Sequence, residues 1–135
     1  MKGRCYCGDV QYEVSGAPMA KGQCHCRECQ YITGGAPNNF LMVKADQFTF
    51  TQGTAKTFAR SDLEDPRIRH FCPNCGTHLT TRPQDESWVV VKVGTLDDPA
   101  TDYGAPDFAI FMKDAQPFHT VAEGLPCFED RPPRR

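Results

Sequence analysis

Cysteines are the residues of this sequence whose number and spacing could do chemistry. The chain has eight, and seven of them form three short clusters: Cys5 and Cys7, then Cys24, Cys26 and Cys29, then Cys72 and Cys75. Metal sites often pair cysteines across one or two intervening residues, because one turn of the chain then delivers two sulfurs. Disulfide frameworks tend to spread their cysteines along the chain. The clusters therefore favour zinc ligation over disulfides, and the plainer alternative is buried cysteines that act as small hydrophobic residues.

Two of the clusters together have the ligand count of a structural zinc site. A structural zinc is held by four cysteine or histidine side chains in a tetrahedron that excludes water. Cys5, Cys7, Cys72 and Cys75 would supply four sulfurs. A zinc that joins them would close a loop of about 65 residues, and such a long-range link stabilises a small domain. We interpret this group of four as structural.

The remaining cluster, called the third cluster below, consists of Cys24, Cys26 and Cys29. It has no fourth partner once the other two clusters are paired. Three protein ligands and one open position distinguish a catalytic zinc from a structural one. Three thiolates give such a site a net charge of about −1, which suits an incoming thiolate better than the ionisation of water. Two alternatives remain: Cys127 completes a second structural site, or His25 supplies the fourth ligand.

The elements that must position these clusters have the pattern of short strands. Glycine and proline, eleven of each, separate apolar or alternating runs of strand length at 10–14, 39–43, 48–51, 87–93 and 108–112. Directly after the third cluster, residues 27–32 suggest one turn of helix. The sequence therefore predicts an all-β domain.

Length and charge limit the organisation of the chain and its partners. A chain of 135 residues has the size of one domain, and we expect the zinc domain to span residues 1–128, with 129–135 as a flexible tail. The net charge of −2 argues against a nucleic-acid partner, because proteins that bind a phosphate backbone usually carry a basic surface. The sequence contains neither an apolar run that could cross a membrane nor the apolar stretch of a secretory signal. We therefore expect no membrane partner and a cytoplasmic location.

Several short motifs run through the chain in a fixed order. They are Cys5-Tyr-Cys-Gly8, Cys24-His-Cys-Arg-Glu-Cys29, Gly34-Gly35-Ala36, Phe71-Cys-Pro-Asn-Cys-Gly-Thr77, Gly94-Thr-Leu-Asp-Asp-Pro99 and Gly124-Leu-Pro126. In this order they resemble the glutathione-dependent formaldehyde-activating enzyme (GFA) family, which includes centromere protein V. The resemblance implies an Mss4-like β-tent of short antiparallel strands held by zinc.

The same resemblance implies cofactors, partners and an activity. It assigns the group of four cysteines to a structural zinc and Cys24, Cys26 and Cys29 to a catalytic-type zinc, which we expect to be held less tightly because it has fewer protein ligands. The activity in the family's name joins glutathione to formaldehyde through a carbon–sulfur bond, giving S-hydroxymethylglutathione. The expected partners are therefore a thiol such as glutathione and a small aldehyde. The alternative function is a zinc-stabilised binding or chaperone-like module of the same fold, without catalysis.

Polar side chains that follow the third cluster are candidates for substrate contact. Tyr31, Asn38 and Asn39 come soon enough after it to line its mouth, and amide side chains can bind a carboxylate or an amide. Phe40 opens an apolar run, so we expect it to pack in the core.

Other polar and aromatic residues are weaker candidates. Four basic residues could meet the carboxylates of a substrate, although isolated basic residues are usually solvated: Lys44, Arg60, Arg67 and Arg69. We expect Trp88 to pack in the core, and His70 and His78, beside the last cysteine pair, to be structural or exposed.

Overall fold

The computed structural model describes residues 1–133, and Arg134 and Arg135, the end of the predicted tail, lie outside the described residues. Within this range there are ten strands: β1 (Lys2–Arg4), β2 (Gln11–Val14), β3 (Ala20–Cys24), β4 (Asn38–Lys44), β5 (Phe48–Gln52), β6 (Lys56–Phe58), β7 (Ile68–Phe71), β8 (His78–Arg82), β9 (Trp88–Lys92) and β10 (Phe108–Ile110). Two short helices, α1 (Arg27–Thr33) and α2 (Pro99–Asp102), and three short 3-10 turns accompany them. No helix in residues 1–133 has the length and apolar character needed to cross a bilayer. The prediction of an all-β domain is confirmed.

The strands form two sheets. The smaller sheet is antiparallel and has the order β1-β2-β5. The larger sheet has seven strands in the order β10-β3-β4-β9-β8-β7-β6. Its neighbours are antiparallel except for β10 and β3, which run parallel. Strands β4 and β9 therefore lie inside the larger sheet, with partners on both edges.

The two faces of the larger sheet bury different side chains. Leu41 and Val43 on β4 and Val89 and Val91 on β9 are fully buried on one face. They belong to the main core, to which the smaller sheet contributes Tyr12. Because side chains alternate along a strand, the intervening residues of β4 and β9 lie on the opposite face. That face supports a second, smaller apolar cluster that contains two of the cysteines of the third cluster, Cys24 and Cys29.

One glycine permits the packing of the second face. Strand register places Gly22 of β3 opposite Phe40 of β4 and beside Phe108 of β10. A Cβ atom at Gly22 would lie 2.6 Å from a ring carbon of Phe40 and 2.8 Å from one of Phe108. The two rings meet edge to face with their centroids 6.3 Å apart. A residue without a side chain is therefore needed at this crossing of three strands.

Helix α1 starts inside the third cysteine cluster. Cys26 is its N-cap, and the Sγ atom of Cys26 accepts a hydrogen bond from the Cys29 amide at 3.3 Å. The helix ends at Gly34, which has a left-handed backbone with φ of 85° and donates its amide hydrogen to the Gln30 carbonyl. Glycine adopts this conformation without the steric cost that a side chain would add. The predicted helical turn is present and extends to Thr33.

The segment after β10 folds back alongside that strand. The Phe111 amide donates to the Asp130 carbonyl at 2.9 Å, and the Met112 amide donates to the Phe128 carbonyl at 3.0 Å. The Lys113 ammonium forms an ion pair with the Asp130 carboxylate. Phe128 and Asp130, the latter in the predicted tail, therefore lie against the residues that follow β10.

Candidate active site

The four-cysteine group brings the N-terminal loop to the turn between β7 and β8. The Sγ atoms of Cys5, Cys7, Cys72 and Cys75 all lie within 4.8 Å of one another. The Sγ of Cys7 is 3.6 Å from that of Cys5 and 3.8 Å from that of Cys72. A tetrahedron with metal–sulfur bonds of about 2.3 Å has sulfur atoms about 3.8 Å apart. The four sulfurs therefore fit a closed metal site.

Backbone amides surround these sulfurs. The Val10 amide donates to Cys5 Sγ at 3.3 Å, and the Cys75 amide donates to Cys72 Sγ at 3.5 Å. Hydrogen bonds from Thr77 lower the pKa of the Cys75 thiol to about 5. Hydrogen bonds to sulfur favour the thiolate, which is the form that binds a metal.

The three-cysteine group forms where β3 ends and α1 begins. Cys24 is the last residue of β3, Cys26 is the N-cap of α1, and Cys29 lies in the first turn of the helix. Their Sγ atoms also lie within 4.8 Å of one another. Side-chain hydrogen bonds from Cys24 and Cys29 lower the pKa of the Cys26 thiol to about 2, and the hydrogen bond with Cys26 raises the pKa of Cys24. The group can therefore hold negative charge and a metal ion.

Neither alternative ligand joins this group. His25 is fully buried, but its Nδ1 lies 3.2 Å from His119 Nδ1 and its Nε2 lies 3.1 Å from Gln23 Oε1. Cys127 is exposed, and its thiol donates to the Leu125 carbonyl at 3.2 Å. Among the residues that the structure describes, the group contains three ligands.

A cavity of about 1100 Å³ opens beside the three cysteines. Cys24, Cys26 and Cys29 lie in its wall together with Asn38, whose side chain is buried. Much of the wall is apolar, and most of this apolar surface comes from three strands and the residue after β10: Phe40, Met42, Trp88, Val90, Phe108, Ile110 and Phe111. The metal-binding group therefore faces a space that a substrate can occupy.

Positive charge dominates the polar part of the cavity. Among residues 1–133, six basic side chains line it, Arg27, Arg67, Arg69, Lys92, Lys113 and Arg131, against two acidic ones, Glu28 and Asp114. Lys92 is 7% exposed, and within residues 1–133 its Nζ atom has no hydrogen-bond partner. Burial lowers the pKa of Lys92 to about 8, and the nearby negative charge of Cys29 opposes that shift.

The three residues proposed to contact substrate occupy different places. Asn38 lines the cavity. Asn39 lies on the other face of the sheet, where its Oδ1 accepts hydrogen bonds from Gln23 Nε2 at 3.1 Å and from Tyr103 Oη at 3.3 Å. Tyr31 is 79% exposed and lines a separate, smaller depression. The structure thus brings Asn38, but neither Asn39 nor Tyr31, to the three cysteines.

The weaker candidates for substrate contact also lie in different places. Arg67 and Arg69 line the cavity, whereas Lys44 and Arg60 lie outside it. Phe40 is buried, but it packs in the second cluster with the cysteines rather than in the main core.

The aromatic and histidine candidates pack against other side chains. Trp88 is half-buried at the cavity, with the Arg67 guanidinium 5.4 Å from its ring centroid. His70 packs against Phe50, with ring centroids 6.1 Å apart, and His78 packs against Phe71, with ring centroids 5.7 Å apart.

Two residues of the site were missed from the sequence. Lys92 ends an apolar run, and its alternation with Trp88 and Val90 would have placed it on their face of the sheet. His119 has no sequence signal of its own, because its contact with His25 joins residues 94 positions apart.

Comparisons with known proteins agree with this architecture. A family model described as glutathione-dependent formaldehyde-activating enzyme matches residues 1–114. The fold is similar to the crystal structure of a Rhodobacter sphaeroides protein solved by structural genomics, with a TM-score of 0.58 and 20% sequence identity over 72% of this chain and 88% of that chain. No curated protein matches the sequence significantly. Because the family model covers most of the sequence, from residue 1 to residue 114, the chain belongs to the glutathione-dependent formaldehyde-activating enzyme family.

Proposed function

We propose that this protein is a zinc-dependent carbon–sulfur lyase or synthase that joins a thiol such as glutathione to a small aldehyde such as formaldehyde. The observation that carries the proposal is the position of the incomplete metal-binding group. Cys24, Cys26 and Cys29 lie in the wall of the large cavity, whereas the described part of that wall contains no member of the four-cysteine group. This difference supports a structural role for the four-cysteine group and a substrate-binding role for the three cysteines.

Zinc suits both groups, because it binds readily to cysteine sulfurs, which are the only ligands that the described part of each group offers. Cys5, Cys7, Cys72 and Cys75 would hold a structural ion, and Cys24, Cys26 and Cys29 would hold a second one. Bound to the three cysteines, zinc supplies a Lewis acid that stabilises a thiolate or polarises an aldehyde oxygen.

The residues of the cavity bind and orient the reactants. Addition of a thiol to an aldehyde forms one carbon–sulfur bond, opens the carbonyl double bond and moves the thiol proton to the oxygen, with no net oxidation. The positive charge of Arg69 favours the thiolate of Cys26 and that of Lys92 favours the thiolate of Cys29, so both charges also favour the anionic form of a substrate thiol bound nearby. The apolar side chains of the wall lower the local dielectric constant, which strengthens these charge interactions.

The test combines metal content with an exchange rate. Elemental analysis of protein purified without chelator should give two zinc ions per chain, one in Cys24→Ser, and two in the control variant Cys127→Ser. The uncatalysed addition is fast, so the rate should be measured at equilibrium by exchange spectroscopy between ¹³C-formaldehyde hydrate and S-hydroxymethylglutathione. We expect the parent protein and Cys127→Ser to accelerate the exchange and folded Cys24→Ser not to do so.

Two results would contradict the proposal. One is a single zinc ion per chain that Cys24→Ser does not remove, which would favour a zinc-stabilised binding module. The other is an exchange rate that is the same with the parent protein, with Cys24→Ser and with no protein. Thermal unfolding of each variant shows whether the comparison is made between folded proteins.

A further inference from the structure

The cavity is much larger and more apolar than a one-carbon aldehyde needs. Pockets of about 300 to 1,000 Å³ bury most of a drug-sized ligand, and this one measures about 1100 Å³. Phe40 and Phe108 meet edge to face in its wall, and Met42 and Val90 continue the apolar surface. Such a surface binds an aromatic or branched apolar group better than it binds a polar peptide.

Lys92 is a cation without a fixed partner in this apolar surface. Its side chain lines the cavity, but its Nζ atom has almost no accessible surface and makes no hydrogen bond within residues 1–133. A ligand in the cavity therefore meets the ammonium group after a rotation of the flexible lysine side chain. A buried ammonium group with no acceptor is costly, and an anionic ligand would remove that cost.

Two neighbouring cations already have carboxylate partners. Arg69 pairs with Glu28 at 3.5 Å, and Arg67 pairs with Asp65 at 3.3 Å while it also covers Trp88. Lys92 differs from these two because its Nζ atom has no partner among the described residues, and it differs from the exposed Arg27 and Arg131 because it is buried. The anionic part of a ligand therefore has its natural partner at Lys92.

Strand register fixes where the charge lies relative to the cysteines and the apolar surface. Cys24 is paired with Asn38, and two residues further along β4, Phe40 is paired with Lys92. Further along the same strands, Met42 and Val90 are paired, followed by Lys44 and Trp88. The ammonium thus lies close to the three cysteines, and the apolar surface extends away from both.

We propose that the cavity takes a mercapto carboxylic acid with an aromatic or branched apolar body. Its carboxylate binds Lys92, its apolar body lies against Phe40, Phe108 and Met42, and its thiol, a short distance from the carboxylate, reaches the three-cysteine group. The inference names the thiol substrate class of the proposed function and rests on that function for the reaction. The binding of the acid and the role of Lys92 can be tested separately from catalysis.

The first experiment compares two unreactive probes on the parent protein. 3-Phenylpropanoate and 3-phenylpropanamide share the same aromatic body and differ in charge, and neither contains a thiol or an aldehyde. Calorimetry should show that the acid binds at least about tenfold more tightly than the amide, because a charge-assisted hydrogen bond is stronger than a neutral one. Equal affinities for acid and amide would overturn the inference without any variant.

The second experiment assigns the preference to Lys92. Lys92→Met keeps the length and apolar character of the side chain and removes its charge, and Lys56→Met changes an exposed lysine of β6 that lies outside the cavity. We expect Lys92→Met to abolish the preference for the acid and Lys56→Met to preserve it. If Lys92 only offsets the charge of the cysteines, Lys92→Met would lower zinc content and leave the preference unchanged, which would contradict the inference.

A third measurement separates this inference from the proposed function. The exchange assay is repeated with 2-mercapto-3-phenylpropanoate in place of glutathione, and we expect a larger acceleration than with glutathione. Acceleration with glutathione alone would leave the proposed function intact and refute the substrate class. No acceleration with either thiol, together with Lys92-dependent binding of the acid, would refute the reaction and support the binding site.

Discussion

The imidazole rings of His25 and His119, 94 positions apart in the sequence, lie with their Nδ1 atoms 3.2 Å apart. The Gln116 amide donates to His119 Nδ1 at 3.0 Å, so this nitrogen acts as a hydrogen-bond acceptor. On its other side, His119 Nε2 donates to the Gly35 carbonyl at 2.6 Å. His119 therefore holds both ends of the segment that carries Cys26, Cys29 and α1.

Removal of this ring should loosen the cysteine segment. We expect His119→Ala to lower the free energy of unfolding by about 1 to 3 kcal/mol, because it leaves buried polar groups of His25 without a partner. Hydrogen–deuterium exchange of residues 25–35 should become faster, while exchange in β9 should stay slow. Thr120→Ala, which changes the next, exposed residue, serves as the control and should leave both measurements unchanged. Unchanged exchange at residues 25–35 in His119→Ala would show that the ring does not hold this segment.

The four-cysteine group should be essential for folding, unlike the isolated cysteine. Cys72 is fully buried and its sulfur lies in the group of four, whereas Cys127 is exposed and outside both groups. We expect Cys72→Ser to abolish the cooperative thermal transition, because metal binding at such a site contributes directly to folding. Cys127→Ser should change the free energy of unfolding by less than about 0.5 kcal/mol. A cooperative transition in Cys72→Ser near that of the parent would refute the structural role.

The division of the cysteines could be predicted because it depends on spacing and ligand number. Cys5 and Cys72 come together only in the folded chain. Their clusters could nevertheless be paired from the sequence, because two cysteines from each give four ligands, and this pairing leaves the three cysteines of the other group. The same kind of local information was not enough for the substrate residues. Asn38 and Asn39 are adjacent in the sequence, and the register of β4 alone decides which amide faces the cavity and which one faces Tyr103.

Residues whose role depends on distant partners could not be found from the sequence. Strand alternation could have assigned Lys92 to one face of β9 but not to the neighbourhood of Cys29, because that proximity requires β3, β4 and β9 to be neighbours. Trp88 was expected in the core from the apolar character of its strand. It instead lies at the cavity, because β9 packs its valines, Val89 and Val91, into the main core and turns Trp88 to the other face.

Gly22 should be intolerant of a side chain. Its Cβ atom would come within 2.6 Å of Phe40 and 2.8 Å of Phe108, so alanine must push at least one ring toward the cavity. We expect Gly22→Ala to lower the free energy of unfolding by about 1 to 3 kcal/mol, as overpacking usually does. Urea unfolding measures the change. Gly94→Ala is the matched control, because a Cβ atom there meets nothing within 4 Å, and its effect should stay within about 1 kcal/mol. Equal stability of the two variants would show that the rings over Gly22 can move freely.

The imidazole of His78 should titrate below its ordinary range. Burial, with the positive charges of Lys92 and Arg69, lowers the pKa of His78 from 6.5. As the pH falls, the unfolded chain therefore binds a proton at His78 at a higher pH than the folded protein does. The contribution of His78 to the free energy of unfolding is therefore fully present above pH 6.5, and it decreases as the pH falls toward the lower pKa of the folded state.

NMR titration of the imidazole carbon-bound protons, assigned with a His78→Gln variant, measures this pKa directly. We expect a midpoint below 6.5 in the parent protein and a higher midpoint in Lys92→Met, because that variant removes one of the nearby positive charges. Lys56→Met should leave the midpoint where it is in the parent. A midpoint at or above 6.5 in the parent would contradict the shift, and an equal midpoint in Lys92→Met would show that the Lys92 charge does not act at His78.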